Sequence, residues 1–329
     1  MAAQMIPPAA AADFLAAAGW PDATILPLAG DASFRRYFRI VDGDRKAVLM
    51  DAPPPNEDPG PFLKIAKHLD AIGFSAPRTI AADLANGLVL IEDFGDARMR
   101  ETVDAAPERE REIYVAAVDL LVALHRHHAA DLPPYGRSEY LREAKLLTEW
   151  FAPAAGLAVD ERGYETAWDQ ALAPLYGEAA RGVTVLRDYH AENIMLISDR
   201  MGVSALGLLD FQDALAGHPA YDLVSLLQDA RRDVPEAIEA EMLSRYIEAA
   251  EPAEGFEAAY ALLGAQRNAK IVGIFTRLWK RDGKDRYLAY LPRVWGYLER
   301  DLQHPALAPV KVWFDANIPA NKRGGTVLA

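Results

Sequence analysis

A long succession of helical patterns is broken once, between Val183 and Asp213, by β-prone runs that each end in an acid. The first reads Val185-Leu186-Arg187-Asp188-Tyr189-His190-Ala191-Glu192-Asn193, and the second Leu206-Gly207-Leu208-Leu209-Asp210-Phe211-Gln212-Asp213. Apolar runs closed by polar residues predict strand ends, where loops expose side chains. Helical patterns precede the break at Pro107 to His128, Ser138 to Phe151 and Glu161 to Ala179. They resume after it to about Asp301, ahead of a Pro-containing tail. Upstream of Phe94 the character is different. Thr24-Ile25-Leu26, Tyr37 to Val41 and Ala47 to Met50 read as strands, with Asp42-Gly43 turning the second into the third. Ala52 to Gly60 is too rich in proline for helix or central strand. Phe62, Ile65, Ala66, Leu69 and Ile72 recur at helical spacing until Gly73. Arg78 to Leu84 and Leu88 to Ile91 read as strands around an Asn86-Gly87 hairpin turn. Strands and one helix, then helices with a strand-rich insert, predict an α+β chain of two lobes. Residues 1–93 form the small β-rich lobe and 94–329 the large, mostly helical one.

Composition bounds the function. In 329 residues, 35 Lys and Arg face 48 Asp and Glu, a formal net charge of -13. Such an excess argues against nucleic-acid backbones and anionic membranes as partners, while leaving room for a local basic pocket. There is no cysteine, which removes disulfides, zinc–thiolate sites and thiol nucleophiles and fits a reducing compartment. No Lys or Arg precedes Arg35, so no secretory n-region is evident, and no apolar run nears the ~20 residues of a membrane span. A cytoplasmic monomer is expected.

Asp188 and Asn193 carry a D-x-x-x-x-N spacing, and Asp210-Phe211 lies at the next strand end. Phosphoryl transfer requires these residue types. A carboxylate orients or accepts the proton of the attacking hydroxyl. A hard ion such as magnesium takes oxygen ligands, which a second Asp and an Asn amide supply. Asp and Asn are also ordinary turn residues, and the spacing alone would be weak. Its agreement with the flanking strands, the second Asp-Phe and the preceding lobe favours the functional reading.

At this point the sequence resembles the aminoglycoside phosphotransferase/choline kinase superfamily, of protein-kinase-like fold, from about Ala23 to Asp301. Four stretches resemble one branch, the anomeric N-acetylmuramate/N-acetylglucosamine kinases of cell-wall recycling. They are Gly30 to Tyr37, Val48 to Pro54, Leu209 to Ala214 with Gly217 to Leu226, and Gln266-Arg267-Asn268 with Gly273-Ile274-Phe275. The resemblance implies ATP-dependent phosphorylation of the sugar at C1. It implies Asp188 as catalytic base, Asn193 and Asp210 as magnesium ligands, and a small-molecule amino sugar as substrate.

The chain also departs from kinase patterns. Leu186 stands where protein kinases carry His, and Gln212 replaces the Gly of Asp-Phe-Gly. The phosphate loop has Gly30, Ala32 and Ser33 as its small residues and leads into Phe34, Arg35 and Arg36. Met50 occupies the third-strand position of a phosphate-binding Lys, and Lys46, on the same face, lies about 13 Å back. Arg35 or Arg36 is therefore a candidate for the phosphates; the other reading of the pair is a solvated strand charge. Glu92, Asp93 and Phe94 form the candidate hinge for adenine, expected between the lobes, or a plain strand exit. His190 and Glu192 lie where substrate approaches, and Asp213, Arg231, Arg267 and Asn268 are candidates for the sugar. His218 and Asp222 read first as polar supports of a helix starting at Pro219. The run His125-Arg126-His127-His128 ends a helix and shows no ligand partner. Two other readings stay open. One is a phosphotransferase for an aminoglycoside, choline-like amine or other small alcohol; the other is a nucleotide-binding pseudokinase.

Overall fold

The computed structural model describes residues 5–30, 34–177 and 182–324. In chain order it runs α1 (Ala11–Ala17), β1 (Thr24–Gly30), β2 (Arg36–Asp42), β3 (Arg45–Asp51), α2 (Gly60–Ala71), β4 (Thr79–Asp83), β5 (Leu88–Glu92) and α3 (Met99–Ala105). Next come α4 (Glu110–Leu124), α5 (Arg137–Ala144), α6 (Ala152–Ala154), α7 (Glu161–Leu172), β6 (Val183–Val185), β7 (Ile194–Leu196), β8 (Leu206–Leu208) and β9 (Leu215–Gly217). The chain then continues as α8 (Ala220–Leu227), α9 (Glu236–Ala250), α10 (Phe256–Asp282), α11 (Leu291–Asp301) and α12 (Ala308–Asn317).

The chain divides into two compact units. One holds the chain up to Thr102 together with Glu192–Asp213; the other holds Val103–Ala191 and the chain from Ala214 onward. The sequence boundary near Phe94 thus falls inside the first unit. Backbone bonds explain why Glu192–Asp213 belongs there: Leu196 N–H donates to Ala97 C=O (2.7 Å) and Leu208 N–H to Ser75 C=O (2.8 Å).

In the first unit an antiparallel sheet of order β1-β2-β3-β5-β4 carries two different faces. Alternation puts Phe38, Ile40, Ala47, Leu49, Leu88 and Leu90 on one face, where they pack with Ala11, Leu15 and Trp20 around α1. Val48, Met50, Val89 and Ile91 belong to the other face and are also buried. The helix read from Phe62, Ile65, Ala66 and Leu69 is α2, and those four side chains are its buried stripe. The Asn86-Gly87 turn requires its glycine. Gly87 has φ +68, and a Cβ there would stand 2.0 Å from the Ala52 carbonyl oxygen. The β7–β8 hairpin, with register Ile194↔Leu208, completes this unit.

The second unit is helical, with one short β6–β9 pair. Its axis is α10, buried on nearly every side from Ala259 to Ala269 and packed against α5, α8 and α11. Three expectations are corrected. The helix read from Ser138 to Phe151 is α5 and then a π-turn over Leu147–Phe151, next to Pro153, which has no N–H to donate to an ordinary turn. The helix read to Ala179 ends at Leu172, where Pro174 opens a 3-10 turn. The tail holds α12, because Pro309 stands in a first helical turn, where a missing N–H costs nothing. No described helix is long and apolar enough to cross a membrane.

His125 ends α4 with its Nδ1 2.7 Å from the Tyr246 hydroxyl. Burial lowers the pKa of His125 to about 3, with His218 nearby adding to the fall, and burial lowers that of His218 to about 4. Both are therefore neutral in the fold, whereas the unfolded chain protonates them near pH 6.5. Their stabilisation is present above that pH and is lost as pH falls toward about 4 for His218 and about 3 for His125. We expect urea stability to drop by about 2 kcal/mol per histidine between pH 7.5 and 5. His125→Phe should flatten that dependence relative to the parent.

Candidate active site

A cavity of about 520 Å³ opens within the first unit, a size suited to a small-molecule ligand. Leu28, Tyr37, Val48, Phe62, Pro77, Ile91, Phe94, Met195 and Leu209 give it apolar walls. Acids dominate its polar lining: Glu92, Asp93, Asp96, Glu101, Glu192 and Asp210 against Arg39 and Arg98. The candidate hinge Glu92, Asp93 and Phe94 lies on this wall.

Arg39 explains how the candidate hinge is held. β2 pairs Arg39 with Val48 and Tyr37 with Met50, so alternation turns Tyr37 and Arg39 to the cavity. The Arg39 guanidinium lies 2.7 Å from Asp93 and 2.8 Å from Asp96, and donates to Gly95 C=O (3.1 Å). Burial alone would lower its pKa, but the bonds to Asp96 and Asp93 outweigh it and raise the pKa. From the other side Arg200 pairs with Glu92, donates to Ser75 Oγ (2.7 Å) and lies 5.4 Å over the Phe94 ring. Gly207 lets that ring come close, since a Cβ there would stand 2.5 Å from it.

The phosphate-loop candidates fall elsewhere. Ser33 lies outside the described residues. Phe34 is 66% exposed, and its N–H donates to Glu57 (3.1 Å). Arg35 pairs with the same Glu57 (3.0 Å). Arg36 lies cross-strand from Asp51, pairs with it at 2.5 Å, and donates to Ile6 C=O. Met50 is fully buried. None of Phe34, Arg35, Arg36 and Met50 lines the cavity. Period-two alternation from Val48 across the pair was the available signal for Arg39.

The metal candidates meet. Asn193 Nδ2 lies 3.4 Å from Asp210 Oδ2, and both residues line the cavity. Asp210 takes φ +57, a left-handed conformation that Asp tolerates better than most residues. Phe211 anchors the turn: it is fully buried and stacks on Phe62 at 5.1 Å. Gln212 Nε2 donates to Asp210 Oδ1 (2.7 Å). A carboxylate and an amide brought together are residue types whose oxygens suit a hard divalent cation. Glu192, also on the cavity, pairs with Arg100, and Asp213 is exposed.

The loop bearing Asp188 belongs to the second unit. As β6 ends, Leu186 N–H and Arg187 N–H donate to the two oxygens of Asp222 (2.6 and 2.8 Å). Asp222 is fully buried; burial pushes its carboxyl up to about 7, against the pull of those two N–H groups. Ser225 Oγ donates to Arg187 C=O (3.1 Å) and accepts from Arg267 (2.8 Å). Tyr189 donates to Ala117 C=O (2.8 Å). Further on, Asp229 accepts from the N–H groups of Ala191 (3.4 Å) and Arg231 (2.8 Å). The Arg231 guanidinium lies 3.2 Å from His190 Nε2, which accepts because a guanidinium only donates. His190 and Arg231 are thus brought together. Arg267 and Asn268 are buried instead, Arg267 on Ser225 and Gln228, Asn268 on Gln228 (2.7 Å) and Asp301.

Residues 24–262 match the phosphotransferase enzyme family. The chain belongs to that family. It is 37% identical to the N-acetylmuramate/N-acetylglucosamine kinase of Caulobacter vibrioides over 96% of this chain and 98% of that one. It is 39% identical to the kinase of the same name from Pseudomonas aeruginosa over 90% of each. Choline kinase LicA from Streptococcus pneumoniae superposes with a TM-score of 0.60 at 13% identity, over 87% of this chain and 93% of that one. An ADP-bound aminoglycoside phosphotransferase gives 0.54 at 15%, over 84% and 92%. Identities this low carry the fold alone, and that fold is the expected protein-kinase-like one, α+β with a small sheet-bearing part and a large helical part.

If Arg39 orders the hinge, Arg39→Ala should weaken a non-hydrolysable ATP analogue about tenfold, roughly one charge-assisted bond. Arg36→Ala should stay within about threefold of the parent. Titration calorimetry on both variants checks this.

Proposed function

We propose that this chain is an ATP-dependent kinase that phosphorylates the anomeric hydroxyl of N-acetylmuramate and N-acetylglucosamine in the cytoplasm, for peptidoglycan recycling. The observation that carries the reading is the pair of kinases named for these two sugars, at 37 and 39% identity over nearly the whole chain. The residues present suit the chemistry. Asp188 takes the proton of the sugar O1–H as O1 bonds to the γ-phosphorus and the bond to the ADP oxygen breaks. Asn193 and Asp210 would hold magnesium, which neutralises triphosphate charge when bound. Tyr37, Val48, Ile91 and Leu209 offer apolar surfaces to adenine, beside Glu92, Asp93 and Phe94.

Arg231 is the cation for the lactyl carboxylate of the muramate, supported by its place beside His190. Its neighbour Arg232 pairs with Glu110 (2.6 Å) and Asp104 (3.2 Å). Arg267, buried on Ser225 and Gln228, supports the catalytic loop.

Incubation with labelled ATP and an acceptor panel, and then location of the phosphate on the product, tests the reading. Both amino sugars should yield 1-phosphates; turnover of aminoglycosides or choline alone would replace it, and bound ATP with no product would end it. Asp188→Asn should slow single turnover by about 10²-fold, the lower part of the general-base range, because an anomeric hydroxyl is more acidic than an ordinary alcohol. Asp210→Asn should be partly restored by excess magnesium, and Asp188→Asn should not. Arg231→Ala should raise KM for the muramate about 10- to 150-fold more than for the glucosamine, the worth of one charge-assisted contact.

A further inference from the structure

Arg187, the residue before Asp188, is held in a conformation that its type rarely adopts. Its φ is +70, and Asp188 N–H donates back to Leu186 C=O at 2.9 Å. A hydrogen bond across one residue of positive φ is a γ-turn of the strained kind. Strain of this sort persists only where the surroundings over-determine it, and it gathers at functional sites. Asp222 and Ser225 fix the backbone of this turn. They leave the guanidinium to be accounted for.

That guanidinium runs into the interior. It pairs with Glu143 of α5, which is 1% exposed, and lies 5.5 Å from the Tyr135 ring. Glu143 also accepts from the Tyr135 hydroxyl, takes Lys270 of α10 at 3.0 Å, and has Arg142 at 4.0 Å. Lys270 Nζ lies 3.2 Å from the Tyr221 hydroxyl on α8. One buried carboxylate thus receives a cation from the catalytic loop and another from the central helix. Burial alone would raise its pKa, but Lys270 and Arg187 outweigh it and bring the pKa to about 2, so Glu143 is ionised. Stability alone does not call for such a cluster, since apolar residues of the same volume commonly serve as well.

We propose that Glu143 is a positioning residue for phosphoryl transfer: through the Arg187 guanidinium it holds the strained turn that presents Asp188, with Lys270 balancing its charge. The proposal rests on Asp188 being the base of the proposed reaction. The prediction is a defect in kcat, because misplacing a reacting group by about 1 Å costs on the order of 10²-fold while binding is spared.

The experiment measures kcat and KM for both sugar and ATP at a temperature where circular dichroism shows each variant folded. Glu143→Gln should lower kcat roughly 30- to 300-fold with each KM within about threefold. Arg187→Met should do the same, and the double variant should lose no more than the worse single, since both remove one strut. If Glu143→Gln does not fold, Arg187→Lys takes its place. It keeps the charge without the planar fork and should lose about tenfold in kcat alone. Parental kcat in a folded Glu143→Gln or Arg187→Lys, a loss confined to KM, or multiplying losses in the double variant would each overturn the proposal. Asp188→Asn in the same assay separates the two claims. If it turns over at the parental rate, the reading of Asp188 fails and the proposal fails with it. If it is slow while folded Glu143→Gln is not, the strut alone fails.

Discussion

The second unit depends on one buried carboxylate. β6 and β9 are only three residues each, too short to order the loop beyond β6, and the chain leaves β6 with two N–H groups that no ladder can take. Asp222 accepts both from the first turn of α8. An unpaired buried N–H would cost about as much as a lost hydrogen bond, so the loop cannot move off Asp222 cheaply. The strained turn at Arg187, the anchoring of Tyr189 and the Asp229 bridge to Ala191 and Arg231 all build outward from that point.

In the first unit the constraint is charge. The cavity is walled by carboxylates, two of which, Asp93 and Asp96, Arg39 gathers beyond β5, and one of which, Glu92, is held by Arg200 and Arg78. Buried or half-buried acids that are already paired contribute little repulsion to an incoming polyanion. Asp210 and Asn193 meet on the same lining, residue types whose oxygens suit a divalent cation.

Much of this was legible in the sequence, for physical reasons. The five strands and α2 announce themselves by period, and Asn86-Gly87 by the turn that only a glycine fits. Asp188 and Asp210 stand out because they close apolar strand-forming runs, and Asn193 by its spacing from Asp188. The hidden parts have physical causes too. β9 is too short to show a period, and Pro309 reads as a breaker unless its place in the first turn of α12 is known. Arg35 and Arg36 are candidates by adjacency to Gly30, Ala32 and Ser33, whereas the facing of Arg39 depends on strand register. Glu143 and Lys270 look like ordinary charges on helices, and nothing in their spacing tells that two distant helices bury them together. Arg267 and Asn268 sit on a helix buried all round, so their polarity points into the interior rather than toward a ligand.

The division of the chain has a consequence for its synthesis. The sheet is complete once Glu92 has left the ribosome, yet the face of the cavity carrying Asn193, Met195, Leu209 and Asp210 is encoded after the whole of Val103–Ala191. Until then Phe62 lacks its stacking partner Phe211, and Ser75 lacks the N–H of Leu208. The Phe62 ring and the Ser75 carbonyl therefore wait for the whole time that the first helices of the second unit are being made. The cavity wall is complete only when a later hairpin is threaded back, so this unit's folding is tied to the elongation of a segment to which it does not belong.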